Sequence, residues 1–453
     1  MKTNPSRKPD VTPGCTADNA TLALSAEEKR NFKLGVINGA LFTTGLTFIG
    51  TSTVIPAFIT ELSGSQLAVG IAAAILLAGY PLPQMFIARY TQRHASIMRF
   101  YRFGGVMRAL CLLLTVVSTF MISSSSANAV LLVFMLGLAG YSLGGGIGGV
   151  AFTEMVARTV PSWYRSSFFA QRLFWGSIGS LGAGWIVRQV LASPELLAFP
   201  VNYRFLFACA CVLVALAITA YACVHEPELP PVANTKESFA EYFRNGLRLL
   251  SGDKRYTLYL LASTLASSHQ MAIPFYSIFI LKQAGIGSQS MLGLLIVAQT
   301  IGGIASNFIW ARLGDQRGSL PLFKGSIIIT VLVPATALAV GALMQLGLDT
   351  VQIAIAGVVL FVLLGVATTG TGIATLTYLL DISPVSHRTT YIGFTNTYTA
   401  LYGLYPILGG LVADAMGASF LFAITLAMQM AAVAISWRLP AHTVDKPPAL
   451  MQA

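Results

Sequence analysis

The sequence predicts an all-α integral membrane protein, with twelve transmembrane helices arranged as two pseudo-symmetric six-helix bundles. Three observations predict it: a composition too apolar for a water-facing surface, twelve separate apolar runs, and one pattern that returns half a chain later. The 453 residues are 55% hydrophobic and 10% charged, with a mean hydropathy of +0.71. A soluble domain carries about 25% charged residues. Too many of the apolar runs lack a polar face for a large soluble helical protein to be the better reading.

In chain order, residues 1–32 form a polar tail, expected in the cytoplasm. It has no short apolar core with a cleavage site, so the first span is expected to direct insertion itself. Ser25 with Glu28 three positions on is a capping-box pattern, expected to start a short surface helix. The N-terminal bundle, 33–224, contains apolar runs at 33–58, 67–88, 103–122, 128–152, 169–191 and 205–224. Each is near the roughly 20 residues that cross a bilayer. Residues 225–256 read as a cytoplasmic linker: Pro227, Pro230 and Pro231 are followed by Phe239, Phe243, Leu247 and Leu250 on one helical face. An amphipathic helix on the membrane surface is expected there. The C-terminal bundle, 257–437, contains runs at 257–281, 291–311, 325–346, 351–379, 390–413 and 419–437, and 438–453 is a second cytoplasmic tail.

The net charge of +11 raises nucleic acid as a partner, but its distribution argues against it. With both termini in the cytoplasm, 23 of the 28 Lys and Arg residues fall in or beside cytoplasmic segments. Arg188, Arg204 and Lys282 lie in outside loops, and Arg108 and Arg172 lie within spans. This is the positive-inside bias of a multi-pass protein of the cytoplasmic (plasma or inner) membrane. Of the cysteines, Cys15 lies in the tail and Cys111, Cys209, Cys211 and Cys223 lie in apolar runs. Cys209 and Cys211 are two apart and do not share a helix face, so all five read as structural thiols rather than metal ligands.

Gly64-Ser-Gln66 with Gly70 returns as Gly287-Ser-Gln289 with Gly293, 223 positions on. The same offset relates Gly79 to Gly302, Ala88-Arg89 to Ala311-Arg312, and Pro161/Arg165 to Pro384/Arg388. The chain therefore writes one six-helix unit twice. Twelve spans as six plus six, with a basic central loop, resemble the major facilitator superfamily of secondary transporters, and the resemblance covers almost the whole chain. That family's signature after the second and eighth helices reads roughly Gly-x-Leu-x-Asp-Arg-x-Gly-Arg. Here Leu313, Asp315 and Gly318 fit the second copy, whereas the first copy keeps Arg93 and has Gln92 in place of the Asp. The resemblance implies a gate at the cytoplasmic mouth made by Asp315, with Arg89, Arg93, Arg165, Arg317 and Arg388 as partners. The bland alternative is that these Arg residues only anchor topology. The fifth helix lacks the Gly-Pro of the family's antiporters, and the fourth lacks the Arg frequent in its drug–proton exchangers; a Pro-x-x-Gly-Gly piece occurs instead at Pro406–Gly410.

The resemblance also implies that spans one, four, seven and ten line the central cavity. Helical spacing tests this independently. Thr44, Thr47 and Thr51 share a stripe in span one, Ser267, Gln270 and Pro274 in span seven, and Thr368, Thr371 and Thr375 in span ten, with Tyr141 on the matching face of span four. Polar groups in lipid face the bundle interior, where they either line a cavity or join helices. His269 lies one residue off the stripe of span seven, either as a proton carrier or as a hydrogen-bonded structural group. Gln299 and Asn396 are further candidates for substrate contact. Arg108 and Arg172 sit about five residues inside the cytoplasmic ends of their spans; either they snorkel to the interface or they attract an anionic substrate. None of the 17 acidic residues falls near the centre of a span, leaving facilitated diffusion, solute exchange, or coupling through His269 or Glu154.

The expected function is secondary transport of a small solute by alternating access. The expected partners are that solute, the bilayer and an optional coupling ion or exchanged solute, with no cofactor, no metal and no nucleic acid, and with the monomer as the working unit. An enzyme would need converging carboxylates, His clusters or metal ligands at one interface, which the sequence does not show. Broad-specificity efflux of amphipathic compounds, and a transporter-like sensor or scaffold, are the alternatives.

Overall fold

Ser25 caps a helix as predicted, but not a separate surface helix. Its hydroxyl accepts from the Glu28 amide at 3.1 Å and the Glu28 carboxylate returns to the Ser25 amide at 2.8 Å. The helix so capped, Ala26–Ile49, runs straight on as the first span. The computed structural model describes residues 25–84, 87, 96–123, 126–161, 164–193, 195, 197–227, 252–284, 291–345, 347, 349–383 and 388–440. The tails, most of the linker with its amphipathic helix, Cys15, Arg89, Arg93, Pro384 and the second GSQ copy lie outside the described residues.

Among the described residues, each of the twelve runs is helical over most of its length. Span one is Ala26–Ile49 with Val54–Ser63, span two starts at Gln66–Gly79, span three is Met98–Ser118, span four Ala127–Thr159, span five Arg165–Ala192 and span six Val201–Ala222. Span seven is Lys254–Ala266 with His269–Ala284, span eight Met291–Arg317, span nine Ser319–Gln345 and span ten Thr350–Ile382. Span eleven is Arg388–Thr399 and Leu404–Met416 joined by a 3-10 turn, and span twelve is Ala418–Trp437. Among the described residues, ten helical stretches are long and apolar enough to cross a membrane. The other two spans are the fifth, which carries Gln171, Arg172, Arg188 and Gln189, and the seventh, which is cut at Ser267-Ser268.

The first GSQ copy is a helix-to-helix corner. Gly64 has φ +69°, the left-handed conformation that closes Val54–Ser63 and that only glycine adopts without strain. Ser65 then caps the next helix, accepting from the Ala68 amide at 3.1 Å. At the end that carries the termini, Glu226 ties the N-terminal bundle together. Its carboxylate accepts from the amides of Ile97 (2.7 Å) and Met98 (3.1 Å) and from the Ser96 hydroxyl (3.0 Å), and it pairs with Arg158 at 3.3 Å. A carboxylate there complements the positive end of span three.

The two bundles meet chiefly along two pairs of spans, two with eleven and five with eight, and span seven also touches spans one and two. Small residues permit the approach: a Cβ on Gly70 would run into the Pro406 carbonyl, and one on Gly293 into the backbone of Gly184 and Arg188.

Candidate functional site

Span one breaks at Gly50, whose φ of +47° ends the first helix before Val54 restarts it. The break frees polar backbone inside the bundle, and the other half of the chain satisfies it. The Ser277 hydroxyl of span seven donates to the Ser52 carbonyl at 2.9 Å. The Ser52 hydroxyl donates to Gln299 Oε1 of span eight at 3.1 Å. A third link lies at the same end: Asp414 of span eleven accepts from the Gln66 amide at 3.0 Å and the Leu67 amide at 2.8 Å, the first two amides of span two. Among the described residues, these hydrogen bonds join the halves. All lie in the portion away from the termini.

Beneath the break is a cavity of about 440 Å³, within the size range of small-molecule sites. Every residue lining it, from Asn38 to Ile218, belongs to the N-terminal half. Two guanidinium groups enter it. Arg108 donates from Nη2 to the Tyr141 hydroxyl at 2.9 Å, and its charge lies 4.6 Å from the Phe42 ring centroid and 4.5 Å from that of Tyr141. Arg172 donates from Nη1 to the Gly35 carbonyl and, at 2.9 Å, to Asn38 Oδ1, with Phe152 at 4.6 Å. Asn38 is itself held, donating to the Ala217 carbonyl at 2.7 Å and the Tyr101 hydroxyl at 3.2 Å. Both Arg heads therefore turn into the bundle rather than back to the interface. Arg108 stands about 15 Å along its helix from Met98 at 1.5 Å per residue, near the middle of a roughly 30 Å hydrocarbon core.

A smaller cavity of about 240 Å³ lies between the halves, lined by Thr51, Leu76, Gln270, Pro274 and Pro406 among others. Thr51 and Leu76 line both spaces. Thus the stripes of spans one and seven converge at Thr51, Gln270 and Pro274, and Tyr141 lines the larger cavity. The other stripe residues are engaged elsewhere. Thr47 joins span five through Ser180 Oγ at 2.8 Å. Thr44 donates to the Ala40 carbonyl at 2.8 Å and lines a lateral apolar pocket with Gly179 and Cys209. Thr368 and Thr371 donate to the Leu364 and Ala367 carbonyls at 2.9 and 2.8 Å. Ser267 sits at the break in span seven. His269 is buried, with Nδ1 2.9 Å from the Ala266 carbonyl. Asn396 is exposed.

Of the expected gate, Asp315 and Arg317 are exposed at the end of span eight. Arg165 donates from Nη2 to the Ala157 carbonyl at 2.7 Å and from Nε to the Val160 carbonyl at 3.1 Å, closing the end of span four. The Arg388 side chain lies outside the described residues. Sequence reasoning missed Asp414 and Glu226 as joining groups. Each carboxylate faces a helix start far away in sequence, and no local pattern marks it.

The profile of the Major Facilitator Superfamily matches residues 37–401 and 258–452. No curated protein matches the sequence. Among solved structures, the chain is similar to a D-xylose–proton symporter at 14% identity and TM-score 0.68, covering 93% of this chain and 100% of that one. It is similar to a bacterial homologue of the iron transporter ferroportin in its inward-facing state, at 13% identity and TM-score 0.68, over 92% and 100%. The outward-facing state of such a homologue gives 12% identity and TM-score 0.59, over 92% and 99%.

Proposed function

This chain belongs to the major facilitator superfamily, and from that premise we propose that it moves a small solute across the cytoplasmic membrane by alternating access. A secondary solute transporter is the reading that family and fold support. The two bundles, 33–224 and 257–437, are the rocking units, and both termini are cytoplasmic. The observation that carries the mechanism is the position of the hydrogen bonds between the halves, which among the described residues lie in the portion away from the termini. Ser52–Gln299, Ser277–Ser52 and Asp414 with the start of span two close the portion away from the termini. The exposure of Asp315 and Arg317 suits an open gate at the terminus-bearing end. The higher TM-score against the inward-facing ferroportin homologue supports the same state. Substrate contacts are assigned to the two joined cavities, with Tyr141, Thr51 and Gln270 as polar wall, and the closed outer face to Gln299. Asp315, Arg317, Arg165, Arg89, Arg93 and Arg388 make the inner gate in the opposite state.

The test is solute movement. Proteoliposomes loaded with a cell extract would be analysed by mass spectrometry for solutes that leave only when the protein is present. A disulfide between Leu67→Cys and Asp414→Cys should arrest that efflux, and a reductant should restore it. Efflux indifferent to the crosslink would refute alternating access, and no protein-dependent efflux would favour a sensor or scaffold.

A further inference from the structure

We propose that the cavity of the N-terminal half is a binding site for a small organic anion, whose oxyanion group is taken by Arg108 and Arg172 while its apolar body rests on Phe42 and Phe152. The proposal deepens the transporter reading and rests on it. Neither guanidinium has a carboxylate partner: no ion pair among the described residues involves either one, and no Asp or Glu lines the cavity. The nearby rings attract both cations but carry no net charge, so the space keeps an excess of two positive charges in low-dielectric surroundings. Arg108 Nε is buried with no hydrogen-bond partner among the described residues. A guanidinium has five N–H donors. One nitrogen of Arg108 is occupied by Tyr141, and Nη1 of Arg172 by Gly35 and Asn38. The remaining donors suit a carboxylate, phosphonate or phosphate, which Arg recognises through paired N–H groups.

The internal repeat argues that the pair is not part of the scaffold. Counterparts 223 positions on are Val331 for Arg108, Thr395 for Arg172, Leu261 for Asn38 and Leu364 for Tyr141. The second bundle folds the same way without any of these groups. Buried charge is costly unless compensated, and at these equivalent positions one half of the molecule carries two charges where the other carries none; the buried guanidinium nitrogens of the second half belong to Arg255, at the start of span seven.

The test measures the thermal stability of the full chain, purified in detergent, against sodium benzoate, phenylphosphonate and succinate, with benzamide and succinamide as neutral counterparts and tetraphenylphosphonium as a lipophilic cation. Saturable stabilisation by at least one anion and none by its neutral counterpart is expected. Arg108→Gln should raise the half-saturating concentration about tenfold or more, the ratio for losing one charge-assisted hydrogen bond. Arg102→Gln, on the same helix but outside the cavity, should leave it unchanged. The anion-against-amide comparison needs no variant, so the proposal remains testable if Arg108→Gln cannot be purified. Equal stabilisation by amide and anion, stabilisation by the cation instead, no response to any anion, or an unaltered anion response in Arg108→Gln would each overturn it. Counterflow of the stabilising anion in proteoliposomes separates the two readings. Binding without movement leaves the site and removes the carrier, whereas movement of a neutral solute unaffected by anions leaves the carrier and removes the site.

Discussion

Replacing Asp414 with Ala removes both acceptors that hold the start of span two, at 3.0 Å from the Gln66 amide and 2.8 Å from the Leu67 amide. Ser65 keeps the Ala68 amide, so the helix itself survives. Losing an N-terminal cap costs about 0.5–2 kcal/mol. Asp414 is exposed, so water recovers part of the loss and about 1 kcal/mol is the reasonable value. Because the contact joins the two bundles, the cost falls on the state closed at that end rather than on folding. The ratio of closed to open molecules should then drop about fivefold. Asp414→Asn, keeping one acceptor without the charge, should fall between. The assay is a spin-label distance measured between Asn128→Cys and Ser419→Cys, both exposed at that end, with the five native cysteines replaced by Ser. A second, longer distance should gain population in Asp414→Ala. A distribution identical to that of the parent would refute the assignment of Asp414 to the closure.

Three further outcomes are expected. Glu226→Ala, which strips the cap from span three and the partner from Arg158, should lower the unfolding temperature in detergent by the equivalent of about 2 kcal/mol, with Gln intermediate; an unchanged melt would show that the knot is ornamental. Asp315→Asn should slow transport about two- to fivefold at normal membrane levels, the effect of removing one charge from a helix terminus, and unaltered transport would remove Asp315 from the gate. His269→Asn, which preserves a donor toward the Ala266 carbonyl, should leave the pH profile of transport in place; a flattened profile would make His269 the proton carrier after all.

Ten of the spans were legible because length and apolar content mark what crosses a bilayer. The interruptions were not. Gly50–Thr53 and Ser267-Ser268 are short polar steps inside otherwise apolar runs, and such a step alone does not say that the helix stops; at the first, the Ser277 hydroxyl on the freed Ser52 carbonyl marks the break. Helix ends misled in a way that mattered. An apolar run starting at 103 put Arg108 near the interface, whereas the helix starts at Met98 under a cap supplied by Glu226, 128 residues away. Arg108 is correspondingly deeper. The threonine stripes read as polar faces in the sequence, but periodicity cannot say where a hydroxyl points. Thr44, Thr368 and Thr371 bond their own helix carbonyls, and Thr47 bonds its neighbour.

The described walls of the larger cavity come from one half, and if the cavity is the cargo site, that separates two kinds of change. Substitutions in 33–224 can alter which cargo is accepted while leaving the hinge surfaces of spans eight and eleven alone. On the proposed reading, substitutions in 257–437 away from Gln270, Pro274 and Pro406 should retune how fast the molecule turns over without altering what it recognises. A chimera joining this N-terminal half to the C-terminal half of a relative should therefore inherit its cargo from the first parent and its pace from both.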